Sequence, residues 1–180
     1  MPPPPLLCAI AAVSADGFIS KGTGVPWDLE ADRQHFRRAT QGKWLLLGRR
    51  TFDEMQGWFT DHHPLVLTRS RDFQPSVGQA VATVAEALKT AERHCATELW
   101  VCGGAATYAE AWPQVQRAII TQVADELGDG LPFPPISGEE WTLLDRHSLP
   151  RHTAAEPVAE VITYQRISHS SIFNVSAAQD

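Results

Sequence analysis

Five short apolar runs, Leu6 to Val13, Trp44 to Leu47, Leu65 to Leu67, Leu99 to Cys102 and Ala118 to Val123, recur along the first two thirds of the chain. Each is too short for a helix and rich in β-compatible residues, so each reads as a strand covered on both faces. Between them lie amphipathic stretches, roughly Glu30 to Thr40, Thr83 to Arg93 and Ala105 to Trp112; the last is preceded by Gly103-Gly104 and followed by Pro113. Strand, helix, strand in repetition predicts an α/β fold with a mostly parallel sheet and helices on its faces. After Asp125 the texture changes. Gly128-Asp129-Gly130, Pro132, Pro134 and Pro135 read as a loop, and Trp141 to Leu144 and Val158 to Tyr164 follow as two strands with no helix between them, an antiparallel finish.

The 180 residues, 43% hydrophobic and 20% charged, suit one globular domain. That domain is expected over residues 1–167, with the Ser- and Ala-rich segment 168–180 as a loosely held tail. Fifteen Lys+Arg against 21 Asp+Glu leave a formal charge of -6, with no basic excess for a phosphate backbone, so nucleic acid is not an expected partner. No apolar run approaches the ~18–20 residues of a membrane span, and Met-Pro-Pro-Pro-Pro lacks the features of a signal peptide. The expectation is a soluble, cytoplasmic protein that meets a small-molecule substrate and no membrane, as a monomer or weak homodimer. Cys8, Cys95 and Cys102 have no metal-type spacing and are expected to be reduced, buried and inert. The histidines His62-His63, His94, His147 and His152 stand without a Cys or carboxylate framework, and no metal is expected.

Common catalytic patterns are absent: the sequence holds no Walker-type loop, no Gly-x-Ser-x-Gly, no His-Glu-x-x-His and no Gly-x-Gly-x-x-Gly after a strand. Other junctions carry chemistry. Gly48-Arg49-Arg50-Thr51 puts a glycine, two cations and a hydroxyl where a strand meets a helix, a place that favours a phosphate or is simply a turn with solvated arginines. Thr68-Arg69-Ser70 sets hydroxyls and a guanidinium at another strand end, suited to a ribose phosphate or to a solvated loop. Gly103-Gly104 permits close approach of backbone to a ligand, or a tight turn. Asp32 shares a helix face with Phe36 one turn later; lining a pocket, it could hold a cationic or amidine-like ring, and otherwise it complements the helix dipole as Glu30 does.

Taken together, the order and spacing of these pieces resemble the dihydrofolate reductase family from about Leu6 to about Tyr164. Pro26-Trp27-x-Leu29-x-x-Asp32-x-x-x-Phe36 is similar to the family's mobile active-site loop and the helix bearing its single catalytic carboxylate. The resemblance implies a three-layer fold with a central, mostly parallel eight-stranded sheet and NADPH as cofactor. It implies catalytic roles for Asp32, Trp27 and Thr121, the last supporting the carboxylate from a strand. It implies pyrophosphate and 2′-phosphate contacts at Gly48, Arg49, Arg50, Thr51, Thr68, Arg69 and Ser70. Ala12, Ile19, Cys102, Gly103, Gly104, Ala105, Thr107 and Tyr108 would complete the cofactor site, with Gly128-Asp129 in a loop near that side. Substrate would meet Ala11, Trp27, Asp32, Arg33, Phe36, Met55, Trp58, Phe59 and His62.

The departures concern the substrate. After Gly57 a folate reductase carries an arginine that forks onto the glutamate α-carboxylate; counted without gaps, its place falls on His62. A mostly neutral histidine cannot supply that permanent bidentate cation. Arg33 follows the carboxylate where the family is usually apolar, and Trp58 and Phe59 crowd the rim. The leading expectation is therefore an NADPH-dependent reductase transferring hydride to a cyclic C=N, an iminium or one formed from a hemiaminal, in a non-folate substrate such as a polycyclic amine of specialised metabolism. Alternatives are a dihydropterin reductase acting on dihydrofolate or dihydromethanopterin, a reductase of the riboflavin-pathway kind, and a non-catalytic protein that binds NADPH or a ligand.

Overall fold

Successive side chains of a strand point to opposite faces, and the computed structural model, which describes residues 3–168, divides its apolar residues on that rule. The strands are β1 (Leu6–Val13), β2 (Phe18–Ser20), β3 (Trp44–Gly48), β4 (His63–Leu67), β5 (Gln79–Val81), β6 (Glu98–Gly103), β7 (Arg117–Val123), β8 (Leu131–Pro132), β9 (Trp141–Ser148) and β10 (Ala159–Arg166). The helices are α1 (Glu30–Thr40), α2 (Arg49–Glu54), α3 (Val84–Arg93) and α4 (Ala105–Ala111). From β1, Leu7, Ala9, Ala11 and Val13 enter one apolar cluster, while Cys8 and Ile10 enter another. Leu46, Leu65, Leu99 and Val101 follow the first set; Leu45, Leu47, Val66, Trp100 and Cys102 follow the second.

A sheet that is apolar on both faces must be covered on both. Val84, Ala87 and Ala91 of α3 and Tyr108 and Ala111 of α4 close the first face. Phe36 and Ala39 of α1 and Phe52 of α2 close the second. The result is a three-layer α/β fold around an eight-stranded sheet in the order β5-β4-β3-β6-β1-β7-β10-β9. Neighbours from β5 to β7 run parallel, and β10 is antiparallel to both β7 and β9. The carboxyl ends of β1, β3, β4 and β6 therefore open side by side, the end of such sheets at which ligands bind.

The parallel sheet with its antiparallel finish matches the pattern of apolar runs, with three differences. The eighth strand of the sheet, β5, is only three residues long, too short to give a period. Strand β9 runs on to Ser148 although only Trp141 is buried, because at a sheet edge Asp145, Arg146 and His147 can pair without burial. A separate two-stranded ladder joins β2 to β8. Of the three cysteines, Cys8 and Cys102 are buried; the expectation that Cys95 is buried is corrected, since it lies exposed just past α3. Apart from Ser168, the tail expected over 168–180 lies outside the described residues. Among the described residues, no helix is long and apolar enough to cross a membrane.

Leu46 is fully buried at the middle of the sheet. Leu46→Ala is expected to destabilise the protein by about 2–5 kcal/mol through lost transfer free energy and a residual cavity, read as a lower urea midpoint at unchanged m-value.

Candidate active site

The strand ends open into a cleft of about 1110 Å³. A site for one small ligand typically spans ~300–1,000 Å³, so this cleft has room for two molecules side by side. Asp32 and Phe36, one helical turn apart on α1, both face it, with Trp27 from the preceding loop and Trp58 from the segment after α2. Helix α1 carries Glu30 and Asp32 in its first turn and Arg37 and Arg38 in its last, charges that suit its dipole, and no side chain caps its start.

The Thr121 hydroxyl, rising from β7, donates to Asp32 Oδ1 at 2.5 Å. Burial nevertheless raises the Asp32 carboxyl above its ordinary value, opposed by that hydrogen bond and by the nearby His35 and Arg33. Behind it, the Tyr108 hydroxyl donates 2.6 Å to the Ile10 carbonyl oxygen, and burial pushes its ionisation far up, so it stays a neutral donor. Arg33 lines the cleft, but its guanidinium is held by Asp28 at 2.6 Å and Glu30 at 2.8 Å.

Across the cleft the backbone is laid bare by glycine. A Cβ on Gly48 would stand 2.7 Å from Thr107 Oγ1, and one on Gly104 would stand 3.1 Å from Thr51 Oγ1; Gly103 has φ +127°. That leaves a cradle between the ends of β3 and β6, with the hydroxyls of Thr51 and Thr107 on it and Arg49, Arg50, Thr68 and Arg69 beside it. Helices α2 and α4 have only six and seven residues, so the positive potential comes mainly from the arginines rather than from helix dipoles. A donor set of bare backbone, hydroxyls and three guanidinium groups fits a pyrophosphate and a phosphorylated ribose. Ala11, Ala12, Ile19, Met55, Cys102 and Ala105 also line the cleft.

Four of the expected site residues stand elsewhere. Thr121 lies outside the cleft lining and reaches it only through its hydrogen bond to Asp32. Ser70 is exposed in the loop after β4, its amide donating to Thr68 Oγ1. Phe59, expected on the rim, turns into the core instead, stacked 5.4 Å from Phe52. His62, expected to face substrate, is corrected most clearly: its side chain is 2% exposed and its ring lies 4.5 Å from that of Trp58, which covers it. Burial lowers its proton affinity, leaving a neutral ring at pH 7.

The loop after β1 is tied down from behind. Asp16 accepts from Ser14 Oγ at 2.6 Å and from the Leu127 and Gly128 amides at 3.0 and 2.7 Å, which lowers its carboxyl to about 2. Gly128 thus anchors the loop from behind, while the Gly24 amide reaches Glu54 at 3.3 Å across the cleft. Glu54, Gly22, Gly24 and Leu131 all line the site and were not foreseen; Leu131 belongs to a two-residue strand with no periodic signal.

A parallel α/β sheet with a carboxylate facing a glycine-bared, cationic cradle defines a nucleotide-dependent enzyme with two ligands in one cleft. The sequence profile of the family described as "Dihydrofolate reductase" matches residues 6–166. Dihydrofolate reductase type 3 of Salmonella typhimurium is 30% identical over 161 residues, 89% of this chain and 98% of that protein. Dihydrofolate reductase of Mycobacterium tuberculosis is 34% identical over 139 residues, 73% of this chain and 81% of that protein. The structure of dihydrofolate reductase from Enterococcus faecalis complexed with NADP(H) and RAB-propyl superposes with a TM-score of 0.79 at 26% identity, covering 91% of this chain and 97% of that one. The chain belongs to the dihydrofolate reductase family, NADPH-dependent oxidoreductases that act on C=N bonds.

A buried carboxylate whose proton affinity is raised on folding stabilises the fold below the unfolded-state value, and that contribution is lost as pH rises through the folded-state value. Asp32→Asn removes the buried charge. The variant is expected to melt above wild type at pH ~8 and to converge with it at pH ~4; equal melting temperatures across that range would show that Asp32 is not desolvated.

Proposed function

We propose that the protein reduces a cyclic C=N bond, as an iminium or its hemiaminal precursor, in a compact ring system without folate's glutamate tail. A polycyclic amine of specialised metabolism is the substrate class this suits. The observation that carries the reading is the aromatic packing over the position of His62. Trp58 packs on Phe36 with ring centroids 5.2 Å apart and covers His62, while the Arg37 guanidinium sits 5.3 Å over the Trp58 ring. The position aligned with the family's tail-binding arginine is thus neutral and buried, and an indole packs over it.

NADPH, when bound, would supply the hydride. Gly48, Thr51, Gly103, Gly104 and Thr107 would hold its pyrophosphate backbone-on, with Arg49, Arg50, Thr68 and Arg69 at its phosphates. Asp32, with one oxygen fixed by Thr121, keeps the other for the substrate nitrogen, where a carboxylate out of water stabilises the iminium charge. Trp27, Phe36 and Trp58 exclude water and offer cation–π faces to a cationic ring.

A second reading, reduction of dihydrofolate itself, is favoured by the names of the relatives. NADPH oxidation with 7,8-dihydrofolate, a tail-less 7,8-dihydropterin and a polycyclic iminium separates the two. The expected result is a kcat/KM for a tail-less substrate at least about tenfold above that for dihydrofolate, a difference of ~1.4 kcal/mol. Trp58→Leu, by uncovering the position of His62, is expected to lower KM for dihydrofolate severalfold. Dihydrofolate as the preferred substrate of the wild type would establish the second reading, and NADPH binding without turnover of any of the three would mark a ligand-binding protein.

A further inference from the structure

Arg33 follows the cleft carboxylate directly in sequence and lines the same cleft as Asp32 and Phe36. A free guanidinium there would be an anion receptor, because its planar fork of donors matches a carboxylate or a phosphate. In this chain the fork is already filled. Arg33 Nη1 donates to Asp28 Oδ1 at 2.6 Å, and Nε and Nη2 both donate to Glu30 Oε2, at 2.9 and 2.8 Å. Glu30 is oriented in turn, since Gln34 Nε2 donates to its other oxygen at 3.0 Å. Asp28 and Glu30 do not belong to the cleft lining, so they hold Arg33 from outside while its side chain walls the interior.

An isolated ion pair on a surface contributes little, because water screens it and long side chains lose entropy in making it. This arrangement differs in being a network, with two carboxylates and an amide closed around one guanidinium within residues 28–34. Its hydrogen bonds, that from Arg33 above all, hold the Glu30 carboxyl below its ordinary range. Two carboxylates against one guanidinium leave the group with one negative charge, at the mouth of a cleft that already contains Asp32. We propose that Asp28 and Glu30 determine specificity: by occupying Arg33 they turn the cation beside Asp32 from an anion receptor into a wall, so that the site admits a cationic ring and rejects a substrate bearing a carboxylate.

The inference deepens the reading of the site as one for a cationic C=N substrate, and rests on that reading for what the substrate is. Asp32 favours positive charge at the reacting nitrogen, and the occupied arginine extends the same preference to the mouth. A free Arg33 would do the reverse: next to Asp32 it would oppose an iminium, and it would offer its fork to any anionic substituent entering past α1. An arginine at this position is compatible with a cationic substrate because it is paired. The next guanidinium on this side of the helix, that of Arg37, lies 5.3 Å over the Trp58 ring and outside the cleft lining. Rejection of the wrong charge, as much as attraction of the right one, then sets the choice of substrate.

The test reads binding without turnover, so its failure is distinguishable from failure of the reductase reading. Three probes share one ring system and differ in charge: N-methylisoquinolinium, a permanent cation; isoquinoline, at a pH where it is neutral; and isoquinoline-3-carboxylate. Their dissociation constants are measured by ligand-observed NMR for the wild type, for Asp28→Asn/Glu30→Gln, and for that double variant with Arg33→Leu added. Asp28 is exposed and Glu30 and Arg33 are half-exposed, so none of these changes disturbs the core. The wild type is expected to bind the cation at least about tenfold more tightly than the anion. In the double variant the anion is expected to tighten by about fivefold or more as Arg33 is released, and the cation to weaken. Adding Arg33→Leu is expected to abolish the gain for the anion. A double variant that binds the probes as the wild type does, or binds none of them, overturns the proposal. So does a gain for the anion that survives Arg33→Leu, which would belong to the overall charge of the rim and not to the arginine.

Discussion

The hydrogen bond from Thr121 to Asp32 joins two parts of the chain 89 residues apart, and it governs the rest of the site. It pins the start of α1 onto β7, in a helix whose N-terminus no side chain caps. With Asp32 fixed, the helix's rotation is fixed too: Phe36 turns to the cleft and Trp58, and His35 turns to β9. A buried carboxylate is costly unless it is hydrogen-bonded, and the one strong bond it receives satisfies a single oxygen. The other retains the capacity to meet a cationic nitrogen. The site thus keeps a destabilising feature that a bound cation would offset.

The two halves of the cleft are built on different physics. The half proposed for the cofactor is defined by what is missing, side chains at Gly48 and Gly104 that would collide with Thr107 and Thr51. Such a cradle tolerates little change, because any added Cβ displaces a hydroxyl. The half proposed for the substrate is defined by aromatic packing: Trp58 packs on both Phe36 and the buried His62. Aromatic packing of this kind can be rearranged without disturbing the sheet, which is why family membership fixes the hydride chemistry more firmly than the substrate.

Most of the sheet was legible, because a strand buried on both faces must be apolar at every position, and β1, β3, β6 and β7 announce themselves that way. Strands β5 and β8 did not, being three and two residues long and held by their neighbours rather than by their own pattern. The position of His62 was reached by counting, but the direction of its ring was not, since a partner four residues back, Trp58, decides it. Phe59 misled for the same reason. Thr121 sits inside an apolar strand, where it reads as packing; only the family resemblance gave it a carboxylate to hold.

The central claim is that Asp32 serves the transfer step and not the binding of the nucleotide. It is tested most directly by measuring, for wild type and Asp32→Asn side by side, the NADPH dissociation constant and the rate of hydride transfer in a single turnover with the best of the three C=N substrates. The account predicts dissociation constants equal within about twofold and a transfer rate lowered by about 10²-fold or more, the usual scale for loss of a positioned acid–base group. An undiminished transfer rate in Asp32→Asn would contradict it.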